Sequence, residues 1–162
     1  MGKDGTARPA NRLSLGRRKT GLEFSTKTEY GVRAAIDLAQ CRGEQTTFQA
    51  IAERQDIPPK FMPQIMRDLA KARLVVTTRG FRGGVKLARS PQEITLLAVI
   101  EAIEGPIAVY RCLIALSACP RAPHCSVRPV WMRGQEAMLS VFERTPLSEL
   151  ARDSKAQRGR RS

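Results

Sequence analysis

Three cysteines, Cys112, Cys119 and Cys125, fall within 14 positions of this 162-residue chain, with six residues between the first two and five between the last two. Thiolates are soft ligands, so a group of them in one short segment is suited to a metal centre or to redox exchange. Structural zinc prefers tighter pairs, about two to four residues apart. The longer intervals favour an iron–sulfur core, in which different cysteines bind different iron atoms; zinc and unliganded redox thiols are the alternatives. Pro120 and Pro123 oppose regular helix between the last two cysteines, so the segment reads as a loop that can converge its thiolates.

Three thiols leave a four-ligand site one donor short. His124 is the only histidine, but it adjoins Cys125, and adjacent side chains seldom reach one cluster from compatible directions. It reads as a loop residue. A carboxylate from elsewhere would complete the set, and an oxygen donor on iron is displaced more easily than a thiolate, which suits sensing. The same adjacency makes Cys125 and His124 a poor nucleophile pair, so the chain is not read as an enzyme. Cys41 stands apart as a separate thiol.

Lys and Arg outnumber Asp and Glu by 28 to 15, a formal charge of +13 that attracts polyanions. No stretch approaches the roughly 18 to 20 apolar residues that cross a bilayer. The basic first 22 residues lack the apolar block of a secretory signal, and a cytoplasmic protein is expected, with its cysteines reduced.

The elements that must position the cysteines read in order along the chain. Thr26 and Glu29 have capping-box spacing, followed by a helical apolar stripe of Tyr30, Val32, Ala35, Ile36 and Leu38 to about Cys41. A short second helix is capped by Thr46 or Thr47 and turns inward with Phe48, Ile51 and Ala52, ending near Gln55. Pro59 opens a third helix to about Ala72, with Phe61, Ile65 and Leu69 inward and Lys60, Gln64, Arg67 and Lys71 opposite. Pro63 is tolerated only if it lies in the first turn.

Two helices joined by a tight turn, the second offering Lys, Gln and Arg to solvent, meet the physical requirements for major-groove insertion. Leu74–Thr78 and Val85–Leu87 then form a hairpin whose Gly-rich tip carries Arg79 and Arg82, placed to meet phosphates or a narrow minor groove. A further helix from about Thr95 through Ile103 stops at Gly105 and Pro106, and the wide apolar face of a last helix, Pro129 to Arg144, suits a second subunit.

The fold class is thus mainly α with a small β-hairpin wing: a winged helix-turn-helix plus a C-terminal dimerisation helix. Residues 1–22 are expected to be a flexible basic arm, 23–106 the DNA-binding region, 107–128 the cysteine loop, 129–150 the dimerisation helix and its packing segment, and 151–162 a basic disordered tail.

In this order the segments STKTEYGVRAAIDLA, AIAERQDIPPKFMPQIMRDLAKARLV, RGFRGGVKLAR, EITLLAVIEAIEGP and the VW after three cysteines resemble the IscR, NsrR and RirA type of winged-helix iron–sulfur transcription regulator, over about residues 24–150. The resemblance implies a homodimer on a near-palindromic double-stranded DNA operator, mostly a repressor, answering to iron, nitric oxide or redox status. It implies DNA contacts by Lys60, Phe61, Gln64 and Arg67, with Arg79 and Arg82 from the wing. It implies a 2Fe-2S or 4Fe-4S cluster on Cys112, Cys119 and Cys125. IscR-like members place a histidine shortly after the third cysteine; here stand Ser126, Val127 and Arg128. NsrR-like members use an acidic residue of the first helix, supplied across the dimer, which corresponds to Glu29, either cluster ligand or cap. Pro63 departs from the usual polar residue in the reading helix, and the arm before Phe24 is longer than usual.

Overall fold

The computed structural model describes residues 23–80 and 83–159, side chains of 155–159 excepted. The basic arm 1–22 and Arg82 lie outside the described residues. Helix α1 (Thr26–Gln40) is capped by Ser25, whose hydroxyl accepts from the Thr28 amide at 3.3 Å. The expected Thr26–Glu29 capping box therefore does not form; the cap is one residue earlier, and Glu29 points outward to Arg33 at 3.2 Å. Helix α2 (Phe48–Gln55) is capped by Thr47, as its sequence requires.

The third helix begins later than Pro59. A single 3-10 turn over Pro59–Phe61 precedes α3 (Met62–Lys71), so Pro63 falls in the first turn, where its missing N–H interrupts no helical bond. Strands β1 (Val75–Thr78) and β2 (Gly84–Leu87) pair antiparallel, Val75 opposite Leu87 and Thr78 opposite Gly84. Thr46 adds backbone bonds to Val85 of 2.8 and 3.0 Å, tying the entry to α2 to the hairpin. At the tip, Gly80 takes a φ of +107°, open to glycine and strained for other residues.

Helix α4 (Leu96–Glu104) is followed by the short α5 (Arg111–Ile114), two 3-10 turns, the long α6 (Arg128–Arg144) and α7 (Leu147–Gly159). The expected disordered tail from residue 151 is corrected over its first nine positions, because α7 continues unbroken to Gly159. Leu147 and Ala151, four apart, are buried against the core, and the Gln40 side chain donates to the Ala151 carbonyl. That packing, not intrinsic propensity, holds the helix.

One apolar core joins α1, α2, α3, α4, the hairpin and α7, with Leu38, Ile51, Ile65, Leu69, Val85 and Val99 among its fully enclosed side chains. Gly31 sits where α1 meets α4 and α3; a Cβ there would fall onto Ile103 Cδ1. Within this region Asp37 is only 2% exposed. Its carboxylate is gripped by Arg54 through Nε at 3.0 Å and Nη2 at 2.6 Å, and by Gln55 Nε2 at 2.8 Å. The hydrogen bond to Asp37 outweighs desolvation and holds the Arg54 guanidinium more firmly charged. This clamp fixes α2 on α1, and sequence periodicity gave no sign of it.

Candidate nucleic-acid interface and cysteine loop

Helix α3 buries Met62, Ile65, Met66 and Leu69 and leaves Lys60, Gln64, Arg67 and Lys71 exposed before or along it. The exposed polar groups are mutually ordered. Arg67 Nη1 donates to Gln64 Oε1 at 3.0 Å, Gln64 Nε2 donates to Asp68 Oδ1 at 2.8 Å, and Lys27 Nζ of α1 donates to Asp68 Oδ2 at 3.1 Å. Burial by itself raises the Asp68 carboxyl, but the hydrogen bonds from Gln64 and Lys27 prevail and leave it below its ordinary value. Phe61 is half-buried, its ring edge-on to Tyr30 with centroids 5.1 Å apart, and Lys60 Nζ lies 5.5 Å from its ring centroid.

Between α3 and the hairpin runs a groove bordered by Thr47, Pro63, Arg67, Thr78 and Arg79. Arg79 is exposed at the base of the wing tip. Two guanidinium groups flanking one open groove beside a helix amino end form a natural seat for a phosphate backbone. Asp68 and Lys27 were missed in the sequence because each looks like an ordinary surface charge; their pairing spans 41 residues.

The structure puts Cys112 in α5, buried, while Cys119 and Cys125 follow the 3-10 turns Leu116–Ala118 and Ala122–His124 and are partly exposed. All three are free thiols. Among the described residues, no three His, Cys, Asp or Glu side chains stand together as a metal-holding set. His124 is exposed. Cys41 caps the carboxyl end of α1, its thiol 3.4 Å from the Asp37 carbonyl.

The loop is braced on α6. The Val109 amide donates to Gln135 Oε1 at 3.1 Å, and Tyr110 stacks on Trp131 with centroids 6.4 Å apart. Arg128, which opens α6, donates its amide to the Cys125 carbonyl at 3.2 Å, and its buried Nε has no hydrogen-bond partner among the described residues. Helix α6 has no buried residue in the single chain; Val130, Trp131, Met132 and Val141 are 41–62% exposed.

Helix-turn-helix, arginine-bearing wing and cysteine loop thus follow one another along the chain. The sequence matches the Rrf2 family, described as an iron-dependent transcriptional regulator, over residues 24–153. The chain belongs to the Rrf2 family. Protein Rrf2 of Nitratidesulfovibrio vulgaris is 31% identical over 134 residues, covering 82% of this chain and 89% of that one. The solved structure of CymR, the global cysteine regulator of B. subtilis, superposes with a TM-score of 0.65 at 32% identity, over 80% of this chain and 96% of that one. T. potens IscR superposes at 0.66 and 31% identity, over 85% and 92%.

This Rrf2-family protein is thus a DNA-binding transcription regulator and not an enzyme, mainly α-helical with an antiparallel wing. Among the described residues no helix is long and apolar enough to cross a membrane.

Proposed function

We propose that the chain acts as a homodimeric repressor whose hold on a near-palindromic operator is set by an iron–sulfur cluster on Cys112, Cys119 and Cys125. Lys60, Gln64 and Arg67 read base edges, Phe61 packs the approach to the helix, and Arg79 with Arg82 anchors the wing on the backbone. The observation that carries the reading of DNA is the ordered pair Gln64 and Arg67, exposed on α3, with Arg67 and Arg79 bordering one groove. Two copies joined through the apolar face of α6 would present two such helices, as a two-fold operator requires.

The donor chemistry of the loop fits the cluster: three free thiols stand in one short segment, and three residues after the last of them Arg128 keeps a buried guanidinium N–H with no acceptor among the described residues. When bound, a cluster would cross-link the three thiolates and respond to iron supply, nitric oxide or redox status. Glu29 is the candidate fourth donor, reaching the partner subunit's loop. It is 63% exposed and, among the described residues, paired with Arg33, a surface ion pair of small worth that a stronger partner can displace. A coupling of about 1 to 3 kcal/mol between loop and α3 shifts affinity by roughly five- to 150-fold.

A second reading keeps the winged-helix regulator but gives the cysteines to zinc or to thiol redox sensing. It is favoured by the lack of a converged metal-holding set among the described residues of the single chain. Oxygen-free purification followed by iron, acid-labile sulfide and zinc analysis separates the two. Iron with sulfide in equal amounts, lost in Cys112→Ala, Cys119→Ala or Cys125→Ala, is the expected result; zinc without sulfide, or no metal, overturns the cluster in favour of the second reading.

A further inference from the structure

We propose that Asp68 is a positioning residue for operator reading, fixing Gln64 and Arg67 from beneath while Lys27 anchors it to the first turn of α1. The inference rests on the proposed reading of DNA by the exposed face of α3.

A carboxylate on a helix that approaches phosphates is repulsive unless it is neutralised and turned inward. Asp68 is the only acidic residue of α3, its side chain is 18% exposed, and both of its oxygens are engaged, one by Lys27 Nζ and the other by Gln64 Nε2. An ionised carboxylate only accepts hydrogen bonds, so the Gln64 amide must turn its NH2 toward Asp68. That choice aims Oε1 at Arg67 Nη1, 3.0 Å away. Three bonds in series thus run from α1 to the exposed guanidinium, and each fixes the orientation of the next group.

The arrangement leaves Gln64 with one N–H and one carbonyl lone pair unspent, the donor and acceptor set that a glutamine offers to a base edge, while Arg67 keeps its remaining donors. Without Asp68 the amide can flip and both side chains regain their rotamers, so discrimination weakens while general phosphate attraction persists. Lys27 is two residues from Glu29, in the turn that Glu104 also binds through Thr28. That turn is thus joined to the reading residues through Lys27 and Asp68.

The test compares two duplexes of equal length by fluorescence anisotropy at fixed salt: one enriched by the wild-type protein from a random-sequence pool, and a scrambled control. Asp68→Ala and Lys27→Gln should each lower the ratio of the two affinities by about tenfold, the worth of one charge-assisted hydrogen bond, and the fall should come from weaker binding of the enriched duplex, because freeing Lys27 in Asp68→Ala by charge alone only tightens the scrambled one. Lys27→Arg should restore the ratio. In a Gln64→Ala, Arg67→Ala background, Asp68→Ala should have no further effect. An undiminished ratio in the folded Asp68→Ala protein, or an effect fully additive to the double variant, overturns the positioning role. If Asp68→Ala does not fold, Lys27→Gln decides by the same ratio. An unchanged ratio in Gln64→Ala, Arg67→Ala removes α3 reading itself, and the positioning role with it.

Discussion

Glu104, the last residue of α4, accepts a hydrogen bond from the Thr28 hydroxyl at 2.7 Å. It also accepts from the Ser25 amide at 2.7 Å. A capping box satisfies the N-cap amide from the N3 side chain; with Ser25 as cap that position is Thr28, not Glu29, and Glu104 makes the bond instead. Supplying it from 79 residues away pins the start of α1 to the end of α4 and leaves Glu29 at the surface. Glu104→Ala should therefore lower stability by about 1 kcal/mol, the worth of a helix cap. Glu104→Gln, which can still accept, should lower it less. Chemical denaturation of both variants measures this.

Arg54 neutralises a carboxylate that is almost completely enclosed. Arg54→Ala leaves Asp37 with Gln55 as a neutral partner and should cost about 3 kcal/mol, because a buried charge without its counter-charge is the expensive case. The urea midpoint should fall accordingly while the helical content of the folded protein is unchanged.

The Asp68 carboxyl titrates below its ordinary value. Its bonds to Gln64 and Lys27 therefore stabilise the fold fully above the ordinary Asp pKa of about 3.9, and that stability is lost as pH falls through the lower folded value. Thermal midpoints of wild type and Asp68→Asn should differ by a constant amount above about pH 5 and converge at the acid end. A difference that persists into strong acid would show that the carboxylate charge is not what holds the pair.

Val141 is 62% exposed on α6 although it lies on the helix's apolar face. Val141→Glu places a charge where the second subunit is proposed to pack, so sedimentation should report monomer in place of dimer. Affinity for the enriched duplex should fall by about 100-fold or more, since two linked half-site contacts become one.

Much of the fold is legible in the sequence because it is written in local periodicity. The apolar spacing of α1, the Thr47 and Thr95 caps and the glycines of the wing each report on residues a few positions away. What was illegible depends on distant partners. Ser25 and Thr26 are both competent caps, and Glu104 sits nearer the first. The Asp37 clamp interrupts an apolar stripe and reads as a solvent-facing charge until Arg54 is brought beside it. Helix α7 hides in a basic, weakly amphipathic stretch; the spacing of Leu147, Leu150 and Ala151 was its one signal. For the site, Gln64 and Arg67 stood out as the polar side of a helix, whereas Asp68 and Lys27 acquire meaning only when α1 crosses α3. The cysteine spacing marked the loop but carries no information on how its thiols converge.

The most direct measurement is the ratio of affinities for the enriched and scrambled duplexes at constant salt, taken on protein purified without oxygen and again after its iron has been removed by a chelator. Loss of iron and sulfide from Cys112, Cys119 and Cys125 should change that ratio at least about fivefold. A protein that carries no iron or sulfide, or whose ratio is the same before and after removal, contradicts control of DNA reading by the cysteine loop through a cluster.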